Sequence, residues 1–250
     1  MQGPAYTIST ACSSSAKALA SARRLIRAGI CDAVIAGGAD TLCQLTLRGF
    51  AALESLSAGR CNPFAASRDG INIGEAAALF LVTAQEGPVA LLGAGESSDA
   101  HHMSAPHPAG RGAIRALEQA LADGGVSPAQ IDYLNLHGTA TPQNDAMEST
   151  AVHQVLGAAI PASSTKALTG HTLGAAGALE AALCWLLLSG HNAGAELPVH
   201  VMDGEPDPRL APVHLVRPGE SFQRKRENFM LSNSFAFGGN NVSLLLRGTS

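Results

Sequence analysis

A chain of 250 residues with 46% apolar composition can bury a sizeable core, as one large domain or two smaller ones, so it is neither a tail nor a linker. A formal net charge of −4, with no basic block and no interleaved basic and aromatic run, argues against nucleic acid as a partner. Cysteines at 12, 31, 43, 61 and 184 fit neither a disulfide framework nor zinc-ligand spacing, and no signal-peptide pattern follows Met1; both point to a reducing cytoplasm.

A helical pattern begins near Cys12 and stops at Gly29, where glycine takes the left-handed cap conformation. The run "DAVIAGG" at 32–38 reads as a fully buried parallel strand, and strands follow over 75–84 and 88–98. Next come an amphipathic helix over 110–125, a buried strand over 131–138, a helix over 144–157 and a strand over 161–168. The most apolar stretch, 173–190, carries Glu180 and several glycines and is short for a membrane span; it is assigned as a buried helix, with no membrane insertion. After a long loop over about 191–211, strands at 228–235 and 240–248 flank the turn "AFGG" as an antiparallel hairpin. Alternating strands and helices with an antiparallel finish indicate an α/β layered fold in which helices cover a mixed sheet.

Chemistry collects at the carboxyl ends of strands in such folds, and "TACSSS", "NLHGTATP", "SSTKALTGH" and "NSFAFGGNN" sit at such ends or at the turn. Cys12 has two readings. Near the first turn of a helix its thiolate is stabilised and it is a candidate nucleophile; a free cysteine is otherwise a small buried hydrophobe. Cys31, Cys43, Cys61 and Cys184 take the second reading. His137 ends an apolar strand beside Gly138, either as a site residue or as a satisfied core histidine. Lys166 and His171 share no helical face, so a strand-to-loop bend must join them if they cooperate. The turn at 237–239 offers backbone N–H groups beside an aromatic, which can hold an oxyanion. His101, His102, His107, His153 and His191 read as surface histidines, "HHMSAPH" matches no standard zinc pattern, and neither a dinucleotide fingerprint nor a Walker pattern is present.

Together "STACSSS", "RDGINIGEAA", "LHGTATPQND", "SSTKALTGHTLGAAGALEA" and "NSFAFGGNN" closely resemble the β-ketoacyl-ACP synthases of types I and II. The resemblance implies a thiolase-like fold layered α-β-α-β-α, incomplete here, with mixed sheets and a C-terminal hairpin. Residues 1–85 would be the remainder of the N-terminal half, carrying the nucleophile, and 86–250 the C-terminal half. It implies decarboxylating Claisen condensation of an acyl group on Cys12 with malonyl-ACP, in fatty-acid or polyketide and polyene synthesis. It further implies no cofactor or metal, acyl carrier protein as partner, and a homodimer or heterodimer in the complete protein. The alternatives are an acyltransferase or malonyl decarboxylase, or a non-catalytic partner subunit.

Carried over by residue, Cys12 accepts the acyl chain, and His137 and His171 stabilise the enolate formed on decarboxylation. Lys166 orients that pair, while Asp145 and Glu148 hold the lysine and its loop. The N–H groups of Cys12 and Phe237 form the oxyanion hole. Thr139 and Thr141 meet the phosphopantetheine arm, Phe50 and Phe237 wall or gate the acyl pocket, and Gly238 and Gly239 complete the turn at the substrate. Departures from the family pattern are Ala236 for glycine, expected to cost on the order of 1 kcal/mol at positive φ, with Asn240 for threonine, Ala65 for aspartate and Ala77 for glycine. The chain resembles the carboxyl-terminal part of a synthase, with weak or no activity expected of a recombinant fragment or breakdown product.

Overall fold

In the computed structural model, which describes residues 3–249, the first helix α1 (Ser14–Arg27) ends as its glycine dictates, with Gly29 at φ 66°. The apolar run that follows is β1 (Ala33–Asp40), paired with β2 (Ala76–Thr83) in a separate two-stranded sheet. The pairing is antiparallel, with Ile35 opposite Leu81, which corrects the parallel assignment. Nor is β1 fully buried: Val34, Ala36, Phe80 and Val82 pack inward, while Ile35, Leu79 and Leu81 on the other face are 54%, 71% and 71% exposed. An apolar run alone does not say how many faces are covered. Helix α2 (Gln44–Ala52), absent from the sequence reading, connects the two strands.

The remaining elements are β3 (Val89–Ser98), α3 (Arg111–Gly124), β4 (Ile131–Asn135), α4 (Pro142–Leu156), β5 (Pro161–Ser163), α5 (Lys166–Thr169), α6 (Ala176–Leu188), β6 (His214–Leu215), β7 (Glu227–Ala236) and β8 (Asn240–Thr249). They build a mixed sheet in the order β3-β8-β7-β4-β5-β6, in which β7 and β8 form the expected hairpin. The strand expected over 161–168 stops at Ser163, and Lys166 opens a short helix instead.

Alternation along β7 and β8 sends their apolar side chains to opposite sides of the sheet, and each strand is buried on two faces. Phe229, Leu231 and Leu245 pack with Leu117 and Leu121 of α3 and Met147 and Val152 of α4. Met230, Leu244 and Leu246 turn the other way, against Leu19 and Ala20 of α1 and Ala181 and Cys184 of α6. The described residues therefore stack as small sheet, α1 with α6, large sheet, α3 with α4. Helices α1 and α6 meet closely because the contact is built from small residues. A methyl group on Gly177 would lie 2.7 Å from the Cβ of Ala16, and the Ala178 N–H donates to Ser15 Oγ at 2.8 Å.

Candidate active site

The serines of "STACSSS" make the turn that presents Cys12. Ser13 and Ser14 donate their hydroxyls to Thr10 O and Ala11 O at 2.9 and 2.6 Å, and Ala11 is held at φ 51°. That left-handed alanine costs on the order of 1 kcal/mol, and it leaves Cys12 two residues ahead of α1 with its side chain buried. His171 follows from a second turn: its N–H donates to Asn72 O at 2.7 Å and its carbonyl accepts from Gly74 N–H at 3.1 Å. The loop at 70–74 thereby aims the ring at the cysteine.

The result is a constellation from three distant segments. His171 Nε2 lies 3.0 Å from Cys12 Sγ, and the His137 ring stands edge-on to His171 with centroids 5.3 Å apart. Phe235 packs against His137 at 5.9 Å. Cys12, His137 and His171 line a cleft of about 380 Å³ together with Phe50, Thr139, Thr141, Phe235 and Phe237. The Phe50 and Phe237 rings meet at 5.6 Å across it, and the Thr139 and Thr141 hydroxyls are 3.0 Å apart.

Behind the cleft lies a buried charge pair that the sequence reading did not identify. Lys166, 1% exposed, pairs with Glu180 of α6 and donates to His137 O at 2.5 Å. Asp145 and Glu148 do not hold the lysine. Glu148 accepts from the His137 and Gly138 N–H groups at 2.8 and 2.7 Å and from Asn233 Nδ2 at 3.2 Å, so it fixes the turn that carries His137. Asp145 accepts from Phe64 N–H at 2.8 Å and lies 3.9 Å from Arg68, which pairs in turn with Asp207 at 2.5 Å. A carboxylate's partner depends on helix phase and layer contact, and Glu180 projects from a helix of the inner layer.

Burial dominates the electrostatics. It pushes the Cys12 thiol up to about 11, although Lys166 and the N–H groups of Cys12 and Phe237 each favour the anion. The anion stabilisation expected from the end of α1 comes instead from the Cys12 and Phe237 amides, and it loses to desolvation. Burial, and then Lys166, hold both histidines well below their ordinary range, so both rings are neutral at pH 7. Burial also raises Asp145 to about 6 and Glu148 to about 7.

Three expectations about the turn at 237–239 change. Ala236 has φ −130° and ψ 156°, ordinary extended backbone, so alanine there costs nothing. The Gly238 N–H donates to Met103 O at 2.7 Å, which leaves the Phe237 amide as the donor facing Cys12. Gly238 and Gly239 do not line the cleft. Asn240 accepts from Lys17 Nζ of α1 at 3.0 Å, tying the turn to the cysteine's helix. Of the cysteines read as packing residues, Cys61 and Cys184 are buried, whereas Cys31 is half-buried and Cys43 lies exposed at the start of α2. Cys61 reaches the site from behind, donating to Lys166 O at 3.2 Å.

Comparison with known proteins identifies the family. The family model "Beta-ketoacyl synthase, N-terminal domain" matches residues 1–87, and "Beta-ketoacyl synthase, C-terminal domain" matches 89–197. The chain is 39% identical to "3-oxoacyl-[acyl-carrier-protein] synthase 2" of Rhizobium meliloti, over 99% of its own length and 61% of that protein. Among solved structures it is 54% identical, with a TM-score of 0.92, to a ketosynthase (ApeO) in complex with its chain length factor (ApeC) from Xenorhabdus doucetiae, covering 99% of this chain and 61% of that one. A type II polyketide synthase acyl-carrier protein in complex with its ketosynthase bound to the hexaketide matches with a TM-score of 0.89 at 30% identity, over 99% of this chain and 64% of that one. The chain thus spans about 61% of the length of the curated relatives it matches. With the layered α/β fold, the cysteine and both histidines accounted for, the chain belongs to the β-ketoacyl synthase family, whose fold is thiolase-like.

Proposed function

We propose that this chain carries the condensing centre of a β-ketoacyl-[acyl-carrier-protein] synthase. The carrying observation is the approach of His171 Nε2 to within 3.0 Å of Cys12 Sγ, with a second neutral imidazole beside it in one cleft. Because the resting thiol and the imidazole are both neutral, attack and proton transfer are coupled: as Cys12 Sγ bonds to the thioester carbonyl, its proton passes to His171 Nε2. The Cys12 and Phe237 amides receive the oxyanion, and the departing carrier thiolate takes the proton as the tetrahedral intermediate collapses.

In the second half, the malonyl thioester carbonyl takes the place of the first substrate, within reach of both rings. Loss of carbon dioxide leaves an enolate whose oxygen accepts hydrogen bonds from His137 and from His171 Nε2, the neutral His171 ring having exchanged its Nδ1 proton for one on Nε2 between the two halves. The enolate carbon bonds to the acyl carbonyl and the Cys12 thiolate leaves, taking up one proton from solvent to restore the resting thiol. Atoms and charges balance without a cofactor or metal.

Thr139 and Thr141 line the cleft and would meet the phosphopantetheine arm, and the complexes named above support acyl carrier protein and a chain-length-factor subunit as partners. The proposed division is a half at 1–85 with the nucleophile and a half at 86–250 with the histidines and lysine, acting in the cytoplasm. Among the described residues no helix is long and apolar enough to cross a membrane. Ile35, Leu79 and Leu81 form an open apolar face of the kind that another protein surface covers.

Mass spectrometry after incubation with a panel of acyl-ACPs, followed by malonyl-ACP, tests the scheme. An acyl adduct on Cys12 and a β-ketoacyl product are expected. An adduct or carbon dioxide without that product establishes an acyltransferase or decarboxylase instead, and neither adduct nor carbon dioxide establishes a non-catalytic partner.

A further inference from the structure

His200 lies in the long loop between α6 and β6, is 6% exposed, and has no part in the chemistry above. Its N–H donates to Val216 O at 2.9 Å, and the Val216 N–H donates to Ala162 O at 3.0 Å, so its main chain is fastened beside β5. The ring is occupied at both nitrogens: Nδ1 lies 3.1 Å from the Ser164 amide nitrogen and Nε2 lies 2.9 Å from Pro63 O. An amide N–H only donates and a carbonyl only accepts, so these contacts select the neutral tautomer with its proton on Nε2. Phe64 closes the side of the ring edge-on at 5.9 Å, and burial keeps the imidazole below its ordinary range.

Ser164 is the junction this ring holds. Its hydroxyl donates to Gly138 O at 2.7 Å and accepts from Lys166 N–H at 3.3 Å. Gly138 adjoins His137, and Lys166 in turn donates to His137 O at 2.5 Å. One buried peptide therefore sets the spacing between His137, which acts on the malonyl carbonyl, and the lysine that holds its backbone from behind. Resting on the condensing reaction proposed above, we infer that His200 is a positioning residue for decarboxylation: its bare Nδ1 fixes the Ser164 amide and, through Ser164, the placement of His137 against Lys166. Cys12 and its oxyanion amides belong to other segments and His137 enters only the second half-reaction, so disturbing this tie acts first on carbon dioxide release.

Three variants separate the acceptor from the donor. His200→Asn sets an amide oxygen near Nδ1, His200→Gln sets an amide NH2 near Nε2, and His200→Leu supplies neither. Carbon dioxide release from malonyl-ACP is expected to fall about tenfold or more in His200→Leu and His200→Gln and to stay within about threefold in His200→Asn. Alkylation of Cys12 by iodoacetamide at pH 8.5 is expected to change less than about twofold in all three. The inference is overturned by unchanged release in His200→Leu, by equal loss in the Asn and Gln variants, or by losses that merely follow the melting temperatures. In the unmodified chain the imidazole 15N spectrum at pH 7 should show a protonated Nε2 and a bare Nδ1 for His200; the opposite tautomer overturns it equally. Should the unmodified chain release no carbon dioxide, the proposed reaction fails on its own account. The His137 ring signal then decides the inference: it must move in the Leu and Gln variants and stay in the Asn variant.

Discussion

Replacing Glu180 by leucine strips the buried Lys166 ammonium of its counterion and leaves it His137 O as its remaining hydrogen-bond partner of known distance. Lys166 is 1% exposed and Glu180 2%, so water cannot take over the charge. Breaking such a pair from one side costs about 3–5 kcal/mol, because desolvation of the surviving ion is no longer offset. For a chain of 250 residues, at roughly 2–4 °C per kcal/mol, that corresponds to a fall in Tm of about 6–20 °C. Lys166→Met should be destabilising for the mirror reason, while Lys166→Met with Glu180→Leu removes both ions and should cost far less than the sum. Urea unfolding of the four proteins at pH 7 measures this cycle. The lysine also lowers both histidines. In Lys166→Met their folded pKa values rise toward the ordinary 6.5, so the rings become charged at a higher pH and the acid limb of carbon dioxide release moves toward neutrality. Additivity of the two single losses within about 0.5 kcal/mol, or an acid limb that does not move, would refute the electrostatic account.

With the Cys12 thiol near 11, on the order of one molecule in ten thousand carries the thiolate at pH 7. Its alkylation by iodoacetamide should therefore climb about tenfold per pH unit from 7 to 9, and a plateau reached below pH 8 contradicts the burial argument. Slow alkylation at neutral pH accordingly does not mark a non-catalytic subunit; an acyl adduct is the deciding readout. Ala236→Gly relieves no strain at φ −130° and should lose about 0.5–1 kcal/mol of stability to backbone entropy, with an unchanged acyl chain-length profile. A gain in stability would show that the turn is strained after all. Leu79→Gln with Leu81→Gln should reduce binding of the dye ANS and shift Tm by less than about 2 °C, since both side chains stand in solvent. Cooperative unfolding lost in that variant would place the two leucines in the core.

The elements were legible where local signals suffice. Gly29 stops α1, paired glycines stop α3, and the turn "AFGG" joins β7 and β8 as a hairpin. The motif order also pointed to Cys12, His137 and His171 as one site. What escaped was everything decided by a partner far away in the chain. The second layer on β1 and the direction of its pairing depend on β2, some 40 residues later. The counterion of Lys166 is Glu180, read at first only as a charge that spoiled a membrane span, while Glu148, on a better-looking motif, serves the His137 turn. The acidity of Cys12 followed the helix end in sequence and burial in the fold, because the number of atoms around a sulfur is a property of packing.

Glycine against alanine at the α1–α6 contact has a consequence for how such a centre diversifies. The turn that carries the sulfur runs into α1 and the turn that carries the facing imidazole runs on toward α6, and those two helices touch with no long side chain between them to take up slack. The helices that follow the reacting pair therefore have little freedom to slide, and drift at their contact is punished. New substrate preferences must arise at the rim, where Phe50, Leu53 and Phe237 border the cleft and exchange of one side chain reshapes space without disturbing the chemistry.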